Sequence, residues 1–120
     1  MMKQVRYAYL VLLITLTTPN AYSTADGPDY WRVHGVDSND VLNIRKEASA
    51  QSEKIGQIPA DGQCIQNIKC VGGLTFDEFT NLSQEEKDKL IKERPRWCYV
   101  GYQGTEGWVA GRYLREGACQ

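Results

Sequence analysis

Four cysteines, Cys64, Cys70, Cys98 and Cys119, lie in the second half of this 120-residue chain. Their meaning depends on the compartment, and the first residues bear on that. Lys3 and Arg6 precede an apolar run from Tyr7 to Leu16. A more polar stretch with Pro19 follows, and then small residues at cleavage spacing, Ala21 and Ser23 or Ser23 and Ala25. This order of charge, apolar core and small residues is that of a secretory signal. The run is about half the roughly 20 residues that a spanning helix needs, which disfavours a membrane anchor. No cysteine lies near the cleavage region to carry a lipid. The expectation is therefore a signal peptide over residues 1–25, one domain over 26–120, and a periplasmic or secreted product. An even cysteine count in an oxidising compartment points to two disulfides. Zinc is the competing reading, and the absence of any C-x-x-C pair weakens it.

Three pairings are possible, and strand faces discriminate among them. Cys98 alternates with Val100, and Cys70 with Ile68. If Ile68 and Val100 belong to the core, Cys70 and Cys98 both point inward. Ile65 and Ile68 break strict alternation, which calls for a bulge between them. Before that bulge Cys64 points outward, where Cys119 in the C-terminal tail can reach it. The expected bridges are Cys70–Cys98 and Cys64–Cys119. The main rival, Cys64–Cys70, requires an apparent strand to bend back on itself.

Removal of residues 1–25 leaves 12 basic and 15 acidic residues, a net charge of −3. That balance argues against a nucleic-acid partner, which a basic field would attract. The 95 residues that remain bury only a modest core, so covalent bridges help such a chain.

Tyr30–Val36 alternates Trp31 and Val33 against Arg32 and His34, as a short strand does. Asp37-Ser38-Asn39-Asp40 is a turn cluster, and Val41–Arg45 alternates with Leu42 and Ile44 on one face. Lys46–Glu53 is a polar loop. Ile55 and Ile58 mark a further extended piece, and Pro59-Ala60-Asp61-Gly62 a turn. Gln63–Val71 reads as a strand that Gly72-Gly73 ends. Phe76 and Phe79 are spaced as on one helical turn. Ser83-Gln84-Glu85-Glu86 has the capping-box form of a helix start, and Pro95 stops that helix. The helix is mostly polar, so it is expected on the surface with Leu90 and Ile91 tucked in. Arg96–Tyr102, a Gln103-Gly104 turn and Glu106–Ala110 return to strand. Short strands at this spacing indicate a small barrel.

Two segments carry a more specific pattern. The first is Val41-Leu42-Asn43-Ile44-Arg45, followed by a polar loop and Lys54-Ile55-Gly56-Gln57-Ile58-Pro59-Ala60-Asp61-Gly62. The second is Trp97-Cys98-Tyr99-Val100, a hairpin containing glycine, and Gly107-Trp108-Val109-Ala110-Gly111-Arg112-Tyr113-Leu114. Together they resemble the bacterial SH3 domain family over most of residues 31–115. The resemblance implies a mainly β fold, a small five-stranded and partly open SH3-like barrel. It makes Gly111–Leu114 a short 3₁₀ turn before the last strand, and the polar loop after Arg45 the family's RT loop. Residues 72–95 depart from the family, replacing a tight hairpin with a helix-bearing insertion.

Trp97 and Tyr99 alternate against Cys98 and Val100 and are expected to face away from the core. A rigid aromatic surface with polar neighbours suits peptide or glycan contact. SH3-like domains hold extended peptides in such a groove. The resemblance implies an aromatic groove of Trp97, Tyr99 and Tyr102, with Tyr113 nearby and Arg45 to Ser49 along one side. The alternative reading packs Trp97 under the inserted helix and uses Tyr113 and Trp108 to close the barrel. No catalytic set emerges. His34 is the lone histidine and four paired cysteines leave no thiolate beside it. Asp77-Glu78 and Glu85-Glu86 are adjacent pairs that point apart on a helix, and Asp37–Asp40 lacks the remainder of a calcium loop. The sequence thus implies a monomeric, non-catalytic binding module without cofactor or metal, and with no membrane contact once the signal is removed. Its partner is expected to be a peptidoglycan peptide or an envelope protein. The alternative is a secreted inhibitor or adaptor that uses residues 72–95 as its contact surface.

Overall fold

A computed structural model describes residues 27–119. The expected signal peptide lies outside the described residues. Seven strands form one curled sheet: β1 (Tyr30–Val33), β2 (Val41–Arg45), β3 (Lys54–Pro59), β4 (Ile65–Val71), β5 (Trp97–Tyr102), β6 (Thr105–Ala110) and β7 (Leu114–Gly117). Their order across the sheet is β3-β2-β6-β5-β4-β1-β7. The architecture is the mainly β, SH3-like half-barrel that the resemblance implies, with seven strands in place of five. β1 is the strand that ties the ends together, because it pairs antiparallel with both β4 and β7. It stops at Val33, since Gly35 turns the chain with φ of +78°.

The core sits inside the curl. Ile44, Ile58, Ile65, Val100, Val109, Leu114 and Cys98 are sealed from solvent, and Trp31, Val33 and Leu42 are nearly so. These residues come from β1 to β7, so the period of two along each strand aims one face of every strand at a common interior. Gly107 lets β2 cross β6 closely. A Cβ there would lie 2.5 Å from Ile44 Cγ2 and 2.8 Å from the Arg45 carbonyl oxygen. At the β5–β6 hairpin, Gln103 and Gly104 both have positive φ, 48° and 87°, which suits the right-handed twist of the two strands.

Ile68 is not in the core. It is 40% exposed, and the β4–β5 register explains why. Asn67 lies opposite Val100 and Lys69 opposite Tyr99, so Ile68 is the extra, bulged residue. The bulge falls at Ile68 itself and not before it. Beyond the bulge Cys70 comes directly opposite Cys98. The two are at disulfide distance, with Cα atoms 4.0 Å apart. Cys64 and Cys119 form the second such pair, with Cα atoms 4.6 Å apart. These are the same two pairs that strand faces select. Cys64 has φ of +59° and is exposed at the mouth of β4.

The insertion holds two helices where the sequence suggests one: α1 (Phe76–Asn81) and α2 (Gln84–Glu93). Each starts at a reciprocal capping box. Ser83 accepts from the Glu86 amide and Glu86 accepts from the Ser83 amide. Thr75 and Glu78 repeat the arrangement at α1. Arg94 Nη2 lies 2.6 Å from Glu78 Oε1 and ties the far end of α2 to the start of α1. The Thr75 amide, and then Arg94, hold the Glu78 carboxyl below its ordinary value. The base of the insertion is pinned. The Gly73 amide donates to the Arg94 carbonyl at 2.7 Å. Gly72, at φ of +76°, packs so tightly on Pro95 that a Cβ would sit 2.4 Å from its carbonyl oxygen. Neither helix buries a residue, and Ile91 is 44% exposed rather than tucked in.

Candidate functional site

The polar loop after β2 is held open by its own hydrogen bonds. Arg45 Nη1 donates to the Ser52 carbonyl at 2.9 Å, and the Glu47 amide donates to Ser52 Oγ at 2.8 Å. The Lys46 amide closes the loop base on the Glu53 carbonyl at 2.9 Å. Between this loop and the pinned end of the insertion lies an open cleft of about 1280 Å³. Its loop wall is Ala48 to Gln51 with Arg45. Its opposite wall is Ile91, Lys92, Pro95 and Arg96, and its floor includes Trp97, Ala110 and Tyr113.

The structure brings Trp97, Tyr113 and Arg45 together in this cleft. Trp97 is half-buried beside α2 and not sealed under it, because it remains part of the cleft lining. Tyr113 packs one side against the core and accepts from Arg112 Nη2 at 3.1 Å through its hydroxyl. Tyr99 and Tyr102 lie elsewhere. Tyr99 is on the same outer face as Trp97, but its ring meets Trp108 edge-on, with centroids 5.3 Å apart. Lys69 Nζ covers that Trp108 ring at 5.6 Å. Tyr102 falls two residues after Val100, so alternation turns it to the inner side, where it packs against the core. It borders a smaller hollow of about 420 Å³ with Tyr30, Gln66 and the Cys64–Cys119 bridge. A groove built jointly from Trp97, Tyr99 and Tyr102 is therefore not what the sheet presents.

Three cleft residues escape a reading of the sequence: Arg96, Arg112 and Arg115. They belong to the approach to β5, the 3₁₀ turn Gly111–Tyr113 and β7, and nothing in their spacing announces a shared site. Arg96 Nη2 donates to the Gly111 carbonyl at 2.7 Å, and its guanidinium lies 5.1 Å from the Trp31 ring centroid. A Cβ at Gly111 would come 2.5 Å from Arg96 Nε, so Gly111 makes room for that side chain. Among the described residues, no cluster of three or more His, Cys, Asp or Glu is placed to hold a metal ion.

A family model described as the bacterial SH3 domain matches residues 40–115. The chain belongs to the bacterial SH3 domain family. The match runs from the start of β2 into β7 and spans the insertion, so the bacterial SH3 domain here is extended at its N-terminus by β1. No curated protein and no solved structure matches the chain. Bacterial SH3 domains are modules that bind proteins or peptides, which makes a binding module the coarse functional class of this one. Two disulfides point to an oxidising environment outside the cytoplasm. No helix among the described residues is long and apolar enough to cross a membrane.

Proposed function

We propose that this bacterial SH3 domain is exported to the periplasm or beyond and acts without catalysis, binding a cell-wall peptide or a segment of another envelope protein. The observation that carries this reading is the open cleft in which Trp97 and Tyr113 share a floor between the polar loop and the insertion. An extended chain laid there meets a rigid aromatic surface at low entropic cost, with backbone and loop polar groups on either side. The charged leader with Lys3 and Arg6 and the two disulfides support export. Trp97→Ala removes the largest ring of the floor while leaving the core face of β5 intact. Retention of the mature chain on isolated peptidoglycan sacculi, or on the envelope protein captured by it, is expected to fall by about tenfold or more, as for an aromatic anchor. Unchanged retention would place the contact elsewhere.

A second reading has its own support. Phe76 and Phe79 on α1 are 80% and 62% exposed, an unusual display for residues of that size. They suit a contact surface of a secreted inhibitor or adaptor. Neither ring lines the cleft, so Phe76→Ala with Phe79→Ala tests this surface while leaving both cleft walls in place. The double variant is expected to keep its melting transition and its wall or partner binding. Loss of partner binding with the barrel intact, and no retention on sacculi by the full domain, would favour the second reading.

A further inference from the structure

The cleft concentrates positive charge in a chain whose balance is acidic. Residues 27–119 carry 14 acidic and 12 basic side chains. Five of those bases, Arg45, Lys92, Arg96, Arg112 and Arg115, line this one cleft, against two acids, Asp37 and Asp40. None of the five is neutralised. The Arg94–Glu78 pair is the one ion pair among the described residues, and it lies outside the cleft. Arg45, Arg96 and Arg112 spend their hydrogen bonds on carbonyls and a phenol, not on carboxylates. Asp40 is also engaged locally, accepting from the Val41 amide at 2.7 Å.

The arrangement is costly to the fold by itself. Arg115 lies directly opposite Arg32 in the β1–β7 register, and like charges at facing positions repel. Burial, and then the charge of Arg115, push the Arg96 guanidinium below its ordinary value. Hydrophobic packing alone would not call for arginines at these places. An occupant that brings negative charge relieves the repulsion, and charge-assisted contacts from guanidinium to carboxylate are the strong ones.

We propose that the cleft takes an acidic, extended segment of another protein, with carboxylates on Arg112, Arg115 and Lys92 and an apolar side chain against Trp97. This rests on the cleft being the binding site and adds the chemistry of what enters it. Both walls are present, so the opening suits a chain and not a flat surface. The overall acidic balance gives no long-range field for a polyanion such as nucleic acid, whereas a few local bases match a few carboxylates.

The probe is a labelled peptide of about eight residues alternating glutamate with valine, roughly 27 Å long when extended. Its twin carries glutamine for each glutamate. Binding is read by fluorescence anisotropy on the mature chain. The acidic peptide is expected to bind about tenfold or more tightly than its twin. That advantage is expected to vanish in the double variant Arg112→Gln, Arg115→Gln. It is also expected to vanish as salt rises from about 0.1 M to about 1 M, where screening shortens from roughly 10 Å to 3 Å. Arg112 and Arg115 are exposed and Arg115 faces Arg32, so the double variant is expected to melt no lower than the parent. Lys92→Gln on exposed α2 repeats the test from the other wall. Equal affinity for the two peptides, or an acidic preference that survives both sets of variants, would overturn the proposal. If the twins bind equally and both are lost in Trp97→Ala, the cleft remains the site and only its charge selectivity falls. If neither peptide binds while sacculi retain the chain, the acidic segment is excluded and a wall ligand takes its place.

Discussion

Cys98→Ser is expected to lower the melting temperature of the mature domain by roughly 15–25 °C. The bridge it removes spans 28 residues. Closing a loop of that size in the unfolded chain is worth about 3.5 kcal/mol on the chain-entropy account. In a domain of this size, each kcal/mol moves the midpoint by about 4–8 °C. Cys98 is also wholly buried, so serine leaves a hydroxyl in the core and adds to the loss. Calorimetry measures the shift, and a thiol reagent reads the partner. The freed thiol is expected at Cys70. Labelling at Cys64 or Cys119 instead, or an unchanged melt, would contradict the pairing. Reducing agent acting on the parent chain is expected to lower the melt in the same direction.

Gly107→Val is the second large effect, about 3 kcal/mol of destabilisation. Overpacking a filled core usually costs roughly 1–3 kcal/mol. Here the obstacle includes backbone, because a Cβ would stand 2.8 Å from the Arg45 carbonyl oxygen as well as 2.5 Å from Ile44 Cγ2. A side chain can rotate away, but the Arg45 carbonyl moves only if β2 moves. Since β2 carries the polar loop that forms one wall of the cleft, the variant is expected to lose binding along with stability. Gly104→Ala is the control. Gly104 has φ of +87° and nothing within 4 Å of a Cβ, so only backbone strain of about 1 kcal/mol is expected. Chemical denaturation of the two variants separates space from conformation. Equal losses would mean that the close crossing of β2 and β6 is not what Gly107 provides.

How far the sequence discloses this molecule depends on the range of the interactions. The β5 alternation, the Gln103-Gly104 turn and the Ser83 capping box are set by neighbours in the chain, and each is legible there. The matching Thr75-x-x-Glu78 box has the same form and marks α1, which Phe76 and Phe79 alone do not delimit. The family pattern supplies the barrel. What it does not supply is the bulge at Ile68, which moves an isoleucine out of the core because Cys70 must meet Cys98. Tyr102 shows how one residue of parity decides a site. It falls on the face of Val100, so it packs inward, while Trp97 stays in the cleft. Arg96 meets the 3₁₀ turn that carries Arg112 through the pairing of β5 with β6, and Arg115 follows on β7, a convergence that no local spacing encodes.

The most direct test of the cleft as the binding site is photocrosslinking from three single positions in the full chain. A photoreactive side chain is placed at Ala50 on the polar loop, at Phe76 on α1, or at Glu106 beside the smaller hollow. Each is exposed to envelope material under the same conditions. The account expects a covalent adduct from position 50 that disappears in the Trp97→Ala background, with little from 76 or 106. Adducts from 76 or 106 alone, or an adduct at 50 that persists without the Trp97 ring, would contradict it.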